Sequence, residues 1–354
     1  MSTEYEKTAL LALPAIAEGS SEEKGLLSWS RPYMIDQIRK NGVDVAVTRG
    51  VKSFDEVGSV ANDVIRPHFN KEGAEVTRID RLGSIGLDSF GMIRNIVRPL
   101  TAETTTPQLN PNSIRYLARN KFAVMQDLLV PAGVYNRQAV TIDGETSSSD
   151  ISASIDSLPG DFIVAKPNGG QRSRGVIVGT KAEVENALRD SGVTVPYILE
   201  EKLHFANALP GIRGRSADEH AELERANQAG VNREVRTYFF GQNDWDTVGR
   251  VAKVGETDFR SDEWLQLDLE SVLGTLVESA NDVVARIRER IGTNEVNIAF
   301  DWVYASSASN PEPTWQVMEM NAAEPQLVQL HEDAEVGRRH HDKMAKQISR
   351  VALS

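Results

Sequence analysis

Residues 162–175 read Phe-Ile-Val-Ala-Lys-Pro-Asn-Gly-Gly-Gln-Arg-Ser-Arg-Gly, an apolar run that ends on a lysine and enters a glycine-rich loop. A short apolar run bounded by proline and glycine predicts a buried strand. Glycines let backbone N–H groups approach phosphate oxygens closely, and the two arginines add positive charge. An ordinary hairpin loop has the same composition, and no Walker A pattern occurs anywhere in the chain.

Two further apolar strands are each interrupted by one acidic residue. Asp301 follows Ile-Ala-Phe, and Glu319 stands between two methionines. A charge within a buried strand is costly unless it is paired or bound to an ion. For any one such residue, a structural ion pair or a position at the solvent edge explains the charge. One lysine, Lys166, and two acids in three strands favour a shared ligand.

Strand geometry makes these acids candidates for metal binding. Side chains alternate along a strand, so Glu319 and Asn321 point to the same face, with Cα atoms ~7 Å apart. Two oxygen-bearing side chains at that separation can hold a hard cation, with Asp301 as a third ligand from a neighbouring strand. Mg²⁺ completes its octahedron with water and phosphate oxygens, so the pattern predicts a metal–nucleotide site.

Composition excludes several functions. The 354 residues are 40% hydrophobic, enough for a large core, and their length predicts two or three domains. The net charge of −12 disfavours nucleic acid or an anionic membrane as partner, and the absence of cysteine excludes disulfides and thiolate chemistry. Thr8–Ala17 is apolar like a signal peptide but follows acidic residues, so we interpret it as a buried strand and expect a cytoplasmic protein.

The first hundred residues alternate between strands and helices. Strand patterns occur at Lys7–Leu13, Val43–Thr48 and Ala74–Asp80, and helical spacing at Phe54–Phe69. This alternation predicts a parallel, Rossmann-like sheet, although no dinucleotide fingerprint follows the first strand. The polar stretch Thr101–Pro111 marks a domain boundary.

The rest of the chain mixes helices with strands. We predict helices at Ser113–Leu129, Lys181–Asp190 and Asp268–Ile291, one exposed helix within Gly211–Gly230, and a final helix. The predicted strands are Phe162–Lys166, Val176–Val178, Tyr197–Glu200, Glu234–Phe240, Thr247–Val254, Val296–Tyr304 and Trp315–Met320. His340 and His341 lie in the final helix, which is polar, and we interpret both as exposed side chains rather than metal ligands.

Short motifs with charged residues follow one another from residue 118 to residue 321. They are Ala-Arg-Asn-Lys121, Ala-Lys166-Pro with its glycine-rich loop, Leu-Glu200-Glu201-Lys-Leu203, Arg-Glu234-Val-Arg236, Asp301, and Met-Glu319-Met-Asn321. This ordered series resembles the ATP-grasp superfamily, especially its glutathione synthetase and ribosomal-protein glutamate ligase branch. The resemblance covers about residues 110 to 325. It implies an N-terminal Rossmann-like pre-ATP-grasp domain at 1–108 and an ATP-grasp domain at 109–354, divided into a small lid subdomain (109–201) and a large metal-binding subdomain (202–354).

The resemblance also implies roles for individual residues. The ATP-binding set would be Lys121, Lys166, Gly169, Gly170, Ser173, Gly175, Glu200, Glu201 and Leu203. One or two Mg²⁺ ions, with Mn²⁺ as an alternative, would be held by Asp301, Glu319 and Asn321. Arg236 would be catalytic, because a fixed guanidinium stabilises an acyl phosphate or tetrahedral intermediate. The chain departs from the family where Asn321 is followed by Ala-Ala-Glu-Pro, and in the long segment between Leu203 and Glu234.

The implied reaction is an ADP-forming ligation of a carboxylate with an amine through an acyl phosphate. Its partners would be ATP and a small-molecule or peptide acid with an amine. A homodimer is left open, and the substrates are not specified by the sequence. Two alternatives stay open: a kinase that phosphorylates a hydroxyl at the same ATP site, and a non-catalytic nucleotide-binding protein.

Overall fold

The computed structural model describes residues 7–12, 31–48, 74–79, 108–109, 112–169, 175–206, 209–228, 233–251, 263–265, 267–322 and 334–354. The predicted helix at Phe54–Phe69 lies outside these ranges. No helix within them is long and apolar enough to cross a membrane.

The first sheet is parallel and lies at the N-terminal end of the chain. Its strands are β1 (Lys7–Ala12), β2 (Val43–Thr48), β3 (Ala74–Ile79) and β4 (Gln108–Leu109), in the order β2-β1-β3-β4. Helix α1 (Arg31–Lys40) precedes β2. The prediction of strands at all three N-terminal positions, with parallel pairing, is therefore confirmed.

The second sheet is a four-stranded antiparallel layer in the order β5-β8-β6-β7. Its elements are β5 (Ala139–Ile142), β6 (Phe162–Pro167), β7 (Ile177–Thr180) and β8 (Tyr197–Glu201), with α4 (Ser148–Ser157) and α5 (Lys181–Ser191) on one face. A capping box between Thr180 and Glu183 starts α5. Ile163 and Ala165 are buried against these helices, so the alternation of β6 turns Lys166 to the opposite face.

The third sheet is antiparallel and holds the largest core. Its strands run β12-β11-β10-β13-β14, with β9 on β13. They are β9 (His204–Phe205), β10 (Arg233–Phe240), β11 (Trp245–Val251), β12 (Glu263–Leu265), β13 (Asn297–Ser306) and β14 (Thr314–Asn321). Helix α6 (Ala217–Gln228) is the helix predicted within Gly211–Gly230. Phe300 and Trp302 of β13 are fully buried in this core.

One long helix predicted from the sequence is broken in the structure, and a second is continuous but contains a π turn. The segment predicted as Ser113–Leu129 forms α2 (Asn112–Arg119), then α3 (Lys121–Val124), which continues as one π turn at Met125–Leu129. The break lies at Asn120, whose side chain accepts the backbone N–H of Ala123 as an N-cap. The helix predicted at Asp268–Ile291 is not interrupted: α7 (Leu269–Val272) leads through a π turn directly into α8 (Glu278–Ile291).

The final helix, α9 (Ala334–Leu353), corrects a second prediction. His340 and His341 are fully buried, not exposed. Helix α9 packs on α1 and on the first sheet as well as on β10, so it has apolar neighbours on more than one side. Nδ1 of His340 lies 3.3 Å from Asp246 Oδ2, and its ring packs edge-on against Tyr238 and Phe240.

Candidate functional site

Three charged residues form a row across the third sheet. Arg236 of β10 is directly paired with Asp301 of β13, and Asp301 is paired with Glu319 of β14. Directly paired residues on antiparallel strands project from the same face, so all three side chains meet there. The next pairing in β13 shifts to Trp302 with Val317, which leaves Met318 as a bulge. The bulge lets Val317 enter the core while Glu319 stays in the row.

Arg236 and Asp301 form a buried, two-pronged ion pair. Nε donates to Oδ1 of Asp301, and Nη2 donates to Oδ2 at 2.6 Å. Asn321 Nδ2 also donates to Oδ2, at 3.1 Å, and Glu234 lies 3.8 Å from the guanidinium. Burial alone would lower the pKa of Arg236, but Asp301 outweighs it and holds the pKa well above its usual range.

Lys121 reaches the row from the N-terminus of α3 and lies 3.0 Å from a carboxylate oxygen of Glu319. Two asparagines hold this helix end beside β6: Asn168 Nδ2 donates to Asn120 Oδ1 at 3.0 Å, and Phe122 N donates to Asn168 Oδ1 at 2.9 Å. Burial would raise the pKa of Glu319, but Lys121 and other nearby cations lower it, so the carboxylate is ionised.

Lys166 belongs to a buried network on the second sheet. Its ammonium donates to Glu200 Oε1 at 2.7 Å, and the other oxygen, Oε2, accepts Arg137 Nε at 3.2 Å and Tyr135 Oη at 2.6 Å. Burial would raise the pKa of Glu200, but Arg137 and Lys166 together lower it to about 2. Burial lowers the pKa of Lys166, and Glu200 offsets part of that effect.

Glu201 faces a different set of donors at the end of β8. Its carboxylate accepts the backbone N–H groups of Gln138 and Ser309, both at 2.8 Å, and the Ser309 hydroxyl at 2.5 Å. Because Ser309 lies between β13 and β14, Glu201 ties the second sheet to the third. Leu203 is buried against Val303 in the same region.

A cleft lies between the two antiparallel sheets and helix α3. Lys121, Lys166 and Glu319 line it together with apolar side chains, which are Ala118, Val124, Met125, Leu129, Tyr135, Ile198, Met318 and Met320. A mostly apolar cleft with three convergent charges has the composition of a small-molecule site. The aromatic or heterocyclic part of a ligand would contact the apolar wall, and its anionic part the lysines.

The glycine-rich loop is described only at its ends. Gly169 follows β6, and Gly175 has a φ of +73°, with the position of an added Cβ 3.0 Å from Pro167 Cγ. This left-handed conformation and close approach favour glycine there. Gly170 and Ser173, predicted to bind ATP, lie outside the described residues.

The predicted metal ligands fit a hard cation by their chemistry. Asp301 and Glu319 supply carboxylate oxygens from paired positions, and Asn321 supplies an amide within 3.1 Å of Asp301. Within the described part of the chain, no group of three or more His, Cys, Asp and Glu side chains is arranged around one point. Lys121 and Arg236 instead neutralise the two carboxylates.

Sequence reasoning missed three parts of this site: Tyr135, Arg137 and Ser309. The first two lie in Val-Tyr-Asn-Arg-Gln, a stretch between predicted elements with no apolar periodicity, and Ser309 lies in a polar turn. In the sequence, the adjacent acids Glu200 and Glu201 indicate that such partners must exist. Two adjacent acids in an apolar strand require partners on both faces of the sheet.

Comparisons with known proteins identify the fold. No family model matches the chain, and no curated protein matches its sequence. Among solved structures, a D-cycloserine synthetase is 14% identical with a TM-score of 0.59, over 97% of this chain and 99% of that one. A RimK domain ATP-grasp protein from Sphaerobacter thermophilus is 13% identical with a TM-score of 0.53, over 98% and 100%.

A D-alanine-D-alanine ligase from Coxiella burnetii is 12% identical with a TM-score of 0.58, over 98% of this chain and 94% of that one. The matches span nearly the whole of each chain, so they include the parallel sheet as well as the two antiparallel sheets. At these identities the likeness establishes the arrangement of the chain and no more.

Proposed function

We propose that this chain, which has the ATP-grasp fold, is an ATP-dependent ligase that joins a carboxylate to an amine and releases ADP and phosphate. The observation that carries the proposal is the row Arg236–Asp301–Glu319, whose last member, Glu319, lines one cleft together with Lys121 and Lys166. The solved structures similar to it include ligases of amino acids, which supports the same class of reaction.

In this proposal the two lysines bind the phosphates of ATP. Lys121 and Lys166 reach the cleft from different elements, so one chain of phosphates can contact both ammonium groups. Phosphate contacts with lysine are charge-assisted and worth about 1.5–3 kcal/mol each. The apolar wall with Ile198 and Met318 receives the adenine ring, beside the Glu200–Leu203 segment.

Asp301, Glu319 and Asn321 are the residues that would hold Mg²⁺. The metal would neutralise charge on the β- and γ-phosphates as the bond between them breaks. Each of the two acids is paired with a cation of the chain, Glu319 with Lys121 and Asp301 with Arg236, so a bound metal would replace those cations. Lys121 would then be available to a phosphate, and Arg236 to the reacting carbonyl group.

Arg236 is then the group that stabilises the acyl phosphate and the tetrahedral intermediate that follows amine attack. Its position in the middle of a sheet fixes the guanidinium, and a fixed donor stabilises developing charge without reorganisation. The substrate carboxylate attacks the γ-phosphate, and the amine displaces phosphate. No side-chain nucleophile is needed.

The domain division at residues 108 and 201 stays part of the proposal, with the first domain as a Rossmann-like pre-ATP-grasp unit. Helices α2 and α3 precede the second sheet in sequence and share their core with the third sheet. We place the acid and amine between the first domain and the row of charged residues.

The deciding experiment measures nucleotide products over a panel of acids, each with and without amines. We expect ADP, and a hydroxamate when hydroxylamine replaces the amine, because hydroxylamine intercepts an acyl phosphate. AMP as the nucleotide product would refute the proposal. ADP with a stable phosphorylated product and no hydroxamate identifies the kinase alternative, and nucleotide binding without turnover identifies the non-catalytic one.

A further inference from the structure

Arg137 is a buried cation that no part of the reaction described above uses. Its side chain has no solvent exposure, although it lies in an irregular segment just before β5. It donates from Nε to Glu200 at 3.2 Å and stacks on the Tyr135 ring, 3.8 Å from the ring centroid. A buried guanidinium is costly to desolvate. We therefore expect Arg137 to have a partner that requires a permanent positive charge beside it.

Arg137 also contacts the third sheet. Nη1 approaches Gln316 Oε1 and the carbonyl oxygen of Val317, both at 3.4 Å. Both residues belong to β14, the strand of Glu319. Arg137 therefore links the carboxylate of Glu200 on the second sheet to the strand that carries two of the proposed metal ligands.

We propose that Arg137 is a positioning residue that keeps Glu200 ionised and in place while Lys166 moves from Glu200 to the nucleotide phosphates. This inference rests on the proposed function. In the ligand-free arrangement Glu200 has two cationic partners, Lys166 and Arg137. When phosphate takes Lys166, a buried carboxylate with no other cation would hold the lysine back or take up a proton. Arg137 and the Tyr135 hydroxyl supply the remaining neutralisation, so Lys166 is free to exchange partners.

The test is calorimetric titration of the whole chain with Mg²⁺ and a non-hydrolysable ATP analogue. We expect Arg137→Met to weaken binding at least tenfold and Arg137→Lys to recover part of that loss. Glu200→Gln removes the carboxylate charge that Arg137 neutralises. In that background Arg137→Met should therefore change affinity less than threefold, which is the non-additivity expected of residues acting through one another.

Arg189→Met is the matched control, because Arg189 is an exposed arginine of α5 paired with Glu185. Its affinity should equal that of the wild type. If Arg137→Met alone does not fold, the double variant with Glu200→Gln, which leaves no carboxylate unpaired, and Arg137→Lys still provide the comparison against Glu200→Gln and the wild type.

Two results overturn the inference alone. The first is Arg137→Met binding within threefold of wild type, and the second is an equal loss from Arg137→Met in the wild-type and Glu200→Gln backgrounds. If only the double variant folds, an affinity for the nucleotide more than threefold below that of Glu200→Gln also overturns the inference. A wild-type chain that binds no nucleotide instead overturns the proposed function, and this inference with it.

Discussion

Arg236 and Asp301 face each other at paired positions of β10 and β13, and the guanidinium donates to both carboxylate oxygens. Each is nearly inaccessible to solvent, so neither charge is neutralised by water. The proposed catalytic group and a proposed metal ligand thus neutralise each other when nothing is bound. The stability of this pair and the function of its members can be tested separately.

Asp301→Asn leaves the Arg236 cation buried without its carboxylate. We expect the free energy of unfolding to fall by about 3–5 kcal/mol, the usual cost of removing one member of a buried pair. Arg236→Met in the same chain should restore most of it, because the unpaired charge is gone. Urea denaturation of the single and double variants measures both effects, and a loss below about 1 kcal/mol in Asp301→Asn would contradict the importance of the pair.

Glu319→Gln keeps the shape of the side chain and removes a charged metal ligand. We expect Mg²⁺-dependent nucleotide affinity to fall at least about tenfold, because Mg²⁺ tolerates little change in its oxygen ligands. Stability should change by less than about 1 kcal/mol, since the pair with Lys121 is partly exposed. Calorimetry with Mg²⁺ and with EDTA tests this expectation. Equal Mg²⁺ dependence in variant and wild type would remove Glu319 from the metal site.

Lys166→Met removes a proposed phosphate contact. We expect nucleotide affinity to fall by about 10- to 100-fold, the loss of one charge-assisted bond. Glu200 keeps Arg137 and Tyr135, so the free energy of unfolding should fall by only about 1 kcal/mol. Lys40→Met, an exposed lysine of α1, is the control. Unchanged affinity in a folded Lys166 variant would refute the assignment.

Glu200 makes stability depend on acid pH. Its pKa falls from 4.5 to about 2 on folding. The ionised carboxylate therefore makes its full contribution to the free energy of unfolding above pH 4.5, and this contribution is lost as the pH falls through 2. The loss is on the order of 3 kcal/mol. Urea midpoints measured between pH 5 and pH 2.5 should fall less steeply in Glu200→Gln than in wild type. Parallel curves would show that Glu200 does not titrate in this way.

His340 adds a dependence at higher pH. Burial lowers its pKa, and Asp246 opposes this only in part. Below about pH 6.5 the unfolded chain therefore binds a proton at this histidine that the folded chain does not bind. The free energy of unfolding is unaffected by His340 above that pH and decreases as the pH falls below it. In His340→Gln, which retains a donor for Asp246, stability between pH 7 and pH 5.5 should be flatter. An NMR titration of the imidazole at or above pH 6.5 would contradict the lowered pKa.

The charged strand residues were the part of the site best predicted from sequence. Lys166, Asp301 and Glu319 each stand alone among apolar residues, and the cost of burying a charge indicates a shared purpose. In the structure Lys166 and Glu319 line one cleft, and Asp301 is paired with Glu319 on the neighbouring strand. Their roles toward ATP and metal remain predictions.

The missed features depend on long-range packing. Nothing near Arg137 in sequence indicates that its partner will be Glu200, because burial there results from the meeting of two sheets. The polar side chains around His340 predict a solvent-facing helix, whereas α9 packs against two sheets and buries the imidazole. The break at Asn120 was missed because the apolar pattern continues through it, and the cap is only recognised with Asn168 in place.

Helix α9 also sets the order in which the protein can be assembled during translation. It covers the first sheet and α1, with Met344 and Ile348 in one apolar cluster with Ala9 and Ile38. The ribosome releases β1 and β2 long before it makes α9. Their apolar faces therefore stay without α9 through most of synthesis. The same cluster includes Tyr238 and Phe240 of β10, so neither the first sheet nor this part of the third sheet has its complete core until α9 has been made.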